Sequence, residues 1–160
     1  MSREVRRVPP NWVHPKDPIT GRFIPLFDGC DFKPRVAEWE VECAKWNRGE
    51  FPSYVNEDDK KLSYEEWAGP RPNRDRYMPV WSPEVATHYM MYQTTSEGTP
   101  ISPAFATPEE LARWLADNNV SSFGPMTATY DQWLRIAQGG YAPSMVLAGG
   151  ELKSGVEADL

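Results

Sequence analysis

The stretch "VATHYMMYQTTSEGTPISPAFATPEELARWLADN", residues 85–118, reads as strand, loop and helix in immediate succession, and that order decides the fold class. From Val85 to Thr95 the chain is rich in Tyr and Thr and free of Gly and Pro, the composition of a strand. Alternation places His88, Met90, Tyr92 and Thr94 on one face and Tyr89, Met91, Gln93 and Thr95 on the other. Both faces mix apolar and polar side chains, which predicts a central position in a sheet. At the other end Thr107, Pro108 and Glu110 supply an N-cap, a first-turn proline and a capping-box carboxylate, and Leu111, Trp114 and Leu115 form the inward stripe of a helix.

Between these two elements lies a loop with more chemistry than a connection requires. Thr94, Thr95, Ser96, Thr99 and Ser102 offer hydroxyls, Gly98 permits a positive φ, and the helix start at Thr107 presents backbone N–H groups. Such a set can hold a phosphate or a carboxylate. Against that, no Lys or Arg occurs between residues 77 and 112, and Glu97 repels an anion. The loop is therefore either a ligand site or a turn whose hydroxyls cap its own backbone.

Working outward, residues 1–31 form a Pro-rich segment in which Pro9, Pro10, Pro15, Pro18 and Pro25 forbid a continuous helix. Trp12, Phe23, Ile24, Leu26 and Phe27 are large and apolar, so the segment is expected to lie across the core as a strap, while its basic start "MSREVRRVPP" reads as a solvated arm. Val36, Trp39, Cys43 and Trp46 recur at helical spacing over Pro34–Asn47, with Gly49 as the stop. Ser63 and Glu66 form a capping box for a short helix ended by Gly69, and Thr129 and Gln132 form another for a helix with Trp133, Leu134 and Ala137 facing inward. The tail reads as two short strands around Gly149 and Gly150. The whole predicts one α+β domain over residues 1–160: a small, mostly antiparallel sheet packed by three or four short helices, the strap at 1–31 and the body at 32–160.

Composition narrows the function classes. The net charge of −6 argues against nucleic acid as the main partner, because phosphate neutralisation needs clustered Lys and Arg. No apolar run reaches the roughly 18 residues that span a bilayer, and Cys30 and Cys43 are expected as free thiols in a reducing compartment. His14, His88 and the two cysteines show none of the spacings of a metal site, and neither a P-loop, a GxGxxG nor a GxSxG elbow occurs, so no cofactor is expected. A base at His88 without a recognisable nucleophile is thin support for catalysis. Trp12, Trp81, Tyr89 and Tyr92 could stack on a base, with Arg7, Arg71 or Arg74 approaching phosphates. The candidate ligand set is accordingly Tyr92, Thr94, Thr95, Ser96, Gly98, Thr99 and Ser102, with Trp12 and His14 from the strap and Arg7 beside it.

"VRRVPPNWVHPKD" at 5–17, "HYMMYQTTSEGTPISPAFATPEELARWLADN" at 88–118 and "TATYDQWLRIAQGGYAPSMV" at 127–146 together resemble a family of small accessory proteins encoded by bacteriophages and prophages. The resemblance implies a setting, the bacterial host cytoplasm, and transfers no catalytic or binding residue. It leads to the expectation of a non-catalytic binding protein that counters a host function, by sequestering a nucleotide-like immune signal or by occluding a host defence protein; a homo-oligomer is compatible with either. The alternatives are a small hydrolase or transferase using His88, and a virion or packaging component.

Overall fold

The computed structural model describes residues 2–94 and 98–158. In chain order its elements are β1 (Arg3–Val8), α1 (Phe32–Asn47), α2 (Tyr64–Ala68), β2 (His88–Gln93), β3 (Thr99–Pro100), α3 (Pro108–Asp117), α4 (Tyr130–Gly139), β4 (Tyr141–Ala142), β5 (Met145–Ala148) and β6 (Glu151–Ser154), with short 3-10 turns between them. A four-stranded antiparallel sheet in the order β3-β2-β1-β4 and the separate hairpin β5-β6 make this an α+β protein, as the sequence predicts. The chain divides into two compact units, Met1–Leu26 with Trp81–Leu160, and Phe27–Val80.

In the first unit β2 is an interior strand, paired with β1 along its whole length from Arg3↔Gln93 to Val8↔His88. The strand is shorter than its composition suggests, because Ser82 accepts the N–H groups of Val85 and Ala86 and holds residues before His88 in a turn. Register and alternation sort the side chains cleanly. Met91, with Val5 and Tyr89, faces α3 and α4, where Leu111, Leu115, Trp133 and Ile136 complete the buried core. Glu4, Arg6, Met90 and Tyr92 lie on the opposite face. The capping boxes at Thr107/Glu110 and Thr129/Gln132 both form, so each helix starts where its N-terminal N–H groups find a side-chain acceptor. The Gly149–Gly150 turn, both residues at positive φ, closes the β5-β6 hairpin as expected.

The basic start is not a solvated arm. Arg3 and Arg6 are 1% and 6% exposed within β1. Arg3 donates through Nε and Nη2 to the carbonyl of Ser121, at 3.1 and 2.7 Å, and through Nη1 to Ser2. Arg6 donates to the carbonyl of Leu26 at 2.7 Å and to the Glu4 carboxylate at 2.8 Å, and lies 4.6 Å over the Tyr92 ring. A guanidinium keeps its charge when buried only if its fork of donors is matched, and neighbouring carbonyls do so here. Charge runs read as solvated from composition alone, since nothing local announces those acceptors. The extended Pro-rich run that remains after β1 is residues 9–26.

In the second unit α1 carries Val36, Trp39 and Cys43 half-buried and Trp46 buried, so the predicted stripe is real but shallower than a core stripe. Trp46 stacks on Trp67 of α2, with ring centroids 4.6 Å apart, and donates its indole N–H to the carbonyl of Leu62. The Ser63/Glu66 capping box starts α2. Arg71 pairs with Glu40 and Arg74 donates to the carbonyl of Met78.

Gly98 is a close-approach position. Its φ is +94°, and a Cβ there would collide with the carbonyl of Leu26 and the guanidinium of Arg6, whereas Gly140, at φ +87° after α4, has open space around it. Gly140→Ala is expected to cost about 1–2 kcal/mol from left-handed strain alone. Gly98→Ala should cost clearly more than that in chemical denaturation, because it adds the clash to the same strain; equal losses for the two variants would contradict the close approach.

Candidate functional site

The candidate site is a groove on the strap side of the first unit, with a volume of about 660 Å³. The strap reaches it by folding back on itself. Asp17 Oδ1 accepts the N–H groups of Ile19 and Thr20 and the Thr20 hydroxyl, and Gly21 takes a positive φ, so Lys16 bridges Phe23 and the N–H of Ile24 reaches the carbonyl of Pro15. This turn brings His14 and Phe23 side by side, ring centroids 5.6 Å apart. The opposing wall is Pro100, Ile101, Ser102, Pro103 and Ala104, and Trp114 of α3 closes one end.

Under the groove a chain of hydrogen bonds fastens the strap to the sheet. The Trp12 indole N–H donates to the Tyr92 phenol oxygen at 3.2 Å, the phenol lies 3.1 Å from His14 Nδ1, and His14 Nε2 lies 2.7 Å from the carbonyl of Ile24. A carbonyl only accepts, so Nε2 carries the hydrogen; in the tautomer that leaves Nδ1 bare, this nitrogen accepts from the Tyr92 O–H, which also lies 3.5 Å from Met90 Sδ. This is the neutral imidazole. Desolvation holds His14 below its ordinary pKa, opposed by the bond to Ile24 and aided by the charge of Arg6. Burial pushes the Tyr92 phenol up to about 12, against lowering by the Trp12 bond and Arg6, so it is neutral and no base near pH 7.

Of the sequence-predicted residues, Trp12, His14 and Ser102 line the groove and Tyr92 lies directly beneath it. The Ser102 hydroxyl is already used, accepting from Met91 N–H and donating to the carbonyl of Pro103. Thr94, Gly98 and Thr99 do not line it: Thr94 N–H bonds to Ser2, Gly98 carbonyl accepts from Leu26, and Thr99 belongs to β3. Thr95 and Ser96 lie outside the described residues. Arg7 is on the other face of the sheet, over the Tyr89 ring at 3.9 Å and bonded to the carbonyl of Thr87. The loop thus turns its prolines and isoleucine toward the groove, while the backbone of Thr94 and Gly98 pairs with Ser2 and with Leu26 of the strap. Pro10, Val13, Phe23, Met90 and Ile101 were missed. Their signal was present, since Val13 and Phe23 are apolar residues among polar turn-formers, but only the fold-back of the strap sets them opposite the loop.

Elsewhere the chemistry is sparse. His88 Nδ1 is 3.0 Å from the Thr87 hydroxyl. Asp28 pushes the exposed Cys30 thiol above its ordinary pKa, away from the nucleophilic thiolate. Among the described residues no group of three or more His, Cys, Asp or Glu is placed to hold a metal ion, and no helix is long and apolar enough to cross a membrane. No family model, no curated protein and no solved structure matches the chain.

The neutral His14 gives a pH signature. Its folded-state pKa is depressed below the unfolded value of about 6.5, so the unfolded chain binds the proton more readily. The stability contributed by His14 is fully present above about pH 6.5 and is lost as pH falls toward the folded-state value. Denaturant midpoints at pH 7.5 and 5.5 should differ more for the native chain than for His14→Gln. Tyr92→Phe, which leaves the Trp12 indole and His14 Nδ1 without their shared partner, should cost about 1–3 kcal/mol at pH 7.5.

Proposed function

We propose that this chain is a phage-encoded, non-catalytic binding protein that counters a host function in the bacterial cytoplasm, by occluding a host defence protein whose apolar segment enters the groove. The observation that carries this reading is the groove itself: walls of proline, isoleucine and aromatic rings, with the polar groups beneath them already paired to one another. A ligand entering it meets apolar surface and few free hydrogen-bonding partners. The rim adds apolar surface, since Val13 is 79% exposed and Phe23 38% beside the groove they line. The phage setting rests on the resemblance of the strap, the strand-loop-helix stretch and the C-terminal segments.

Sequestration of a nucleotide-like signal is the weaker reading. A phosphate needs cations or converging N–H groups, and among the described residues Lys16 is the one cationic side chain lining this groove. Arg6 is engaged with Leu26, Glu4 and the Tyr92 ring, and Arg7 faces the other way. At the start of α3, Glu109 and Glu110 stand where an anion would have to sit.

The test is expression of the full chain in a bacterium whose defence restricts a phage. The native chain should restore plating and capture one defence protein. Val13→Asp and Ile101→Glu should weaken that capture by about tenfold or more and abolish restoration, with melting temperature little changed for Val13→Asp. A nucleotide bound to the native chain in native mass spectrometry, with restoration unaffected by both variants, would overturn occlusion in favour of sequestration. Recovery of the chain in purified particles would overturn it in favour of a virion role.

A further inference from the structure

The second unit holds a cavity of a different character. It is smaller, about 260 Å³, and its walls are the rings of Trp46, Tyr54, Tyr64 and Trp67. Three carboxylates, Glu38, Glu42 and Glu50, and Pro52 complete the lining. Local structure explains the grouping. Glu38, Glu42 and Trp46 recur every four residues on α1 and so share one face, and Tyr64 and Trp67 are three apart on α2. The 48–62 segment carries Glu50 and Tyr54 back toward them, its course set by Trp46 donating to the carbonyl of Leu62.

The ring geometry forms an angled box. Trp67 stands at the centre, 4.6 Å from Trp46, 6.2 Å from Tyr64 and 6.4 Å from Tyr54, and its plane is 31° from that of Tyr54. Aromatic faces carry negative potential, and carboxylates at their edges add to it. Glu42 is paired with Lys45 and Glu50 with Arg48, but neither cation lines the cavity. Lys60, 5.7 Å over the Phe51 ring, is paired with Glu57 and is likewise outside it. Among the described residues the lining is aromatic and carries one carboxylate, Glu38, without a cation partner, while the charges of Glu42 and Glu50 are offset by Lys45 and Arg48 just outside it. Burial first, and the charge of Glu42 second, raise the Tyr64 phenol above its ordinary pKa.

We propose that this cavity is a cation site that takes the guanidinium of an arginine side chain from a partner protein. Arginine fits both halves of the lining, since its planar group stacks on aromatic faces while its N–H fork meets carboxylates, and it is more weakly hydrated than an ammonium. The site is separate from the apolar groove of the first unit and would add charge recognition to a protein whose groove has little.

The probe is Nα-acetyl-arginine methylamide, titrated into the full chain while the tryptophan indole resonances are followed by NMR. The Trp46 and Trp67 signals should shift saturably, and the uncharged citrulline analogue should bind about tenfold more weakly. Tyr54→Ala and Glu38→Gln should each weaken the arginine derivative several-fold. Both side chains are exposed, so the melting temperature should hold and separate loss of binding from loss of fold. Equal binding of the citrulline analogue, no response in either indole, or undiminished binding by both variants would overturn the proposal. Tighter binding of tetramethylammonium than of the arginine derivative would overturn the guanidinium assignment.

Discussion

The phenol of Tyr92 is the point on which the first unit depends. It projects from an interior strand on the face away from the helices, accepts from Trp12, and meets His14, which in turn holds Ile24. Three residues of the strap are thereby fixed to one interior strand far along the chain by three hydrogen bonds and by aromatic contacts, including Trp12 against Trp81. The Tyr92–His14 contact is buried and the other two are part-buried, and a buried polar group left unpaired costs free energy. A strap with five prolines and no helix can be held in one place only by such specific contacts, because its own backbone offers few internal hydrogen bonds.

That fastening has a consequence for function. With Tyr92, His14 and Ser102 satisfied internally, the surface left above them is apolar, and the groove recognises shape and hydrophobicity in place of charge. The buried Arg6 belongs to the same economy. Its guanidinium braces the Tyr92 ring and the Leu26 carbonyl, and glycine at 98 is what lets the loop backbone approach so closely. The aromatic and acidic cavity of the second unit differs, with four rings and three carboxylates in its lining, of which Glu42 and Glu50 are paired with Lys45 and Arg48.

What was legible in the sequence is what depends on short-range rules. The three capping boxes at Ser63, Thr107 and Thr129, the glycine turn at 149–150 and the alternation of His88 to Gln93 all follow from neighbours within a few residues. Those rules place helix ends and strand faces. Trp12, His14, Tyr92 and Ser102 were singled out by residue type, and the fold brings them to or beneath the groove. Thr94, Gly98, Thr99 and Arg7 were drawn in by the same residue types, yet serve pairing, close packing and the opposite face of the sheet.

The sequence by itself determined the α+β class, the boundaries of most elements and the aromatic content of the strap, since periodicity, capping and turn chemistry are local. Only the tertiary structure decided that "REVRRV" is an interior strand with two buried arginines, because their acceptors come from Leu26 and Ser121. It alone decided that the "TSEGTPISP" loop offers its prolines to a groove and spends its described polar groups inside the protein. Hydrogen bonds between residues eighty positions apart carry no local signature, and they determine which polar groups remain free for a partner.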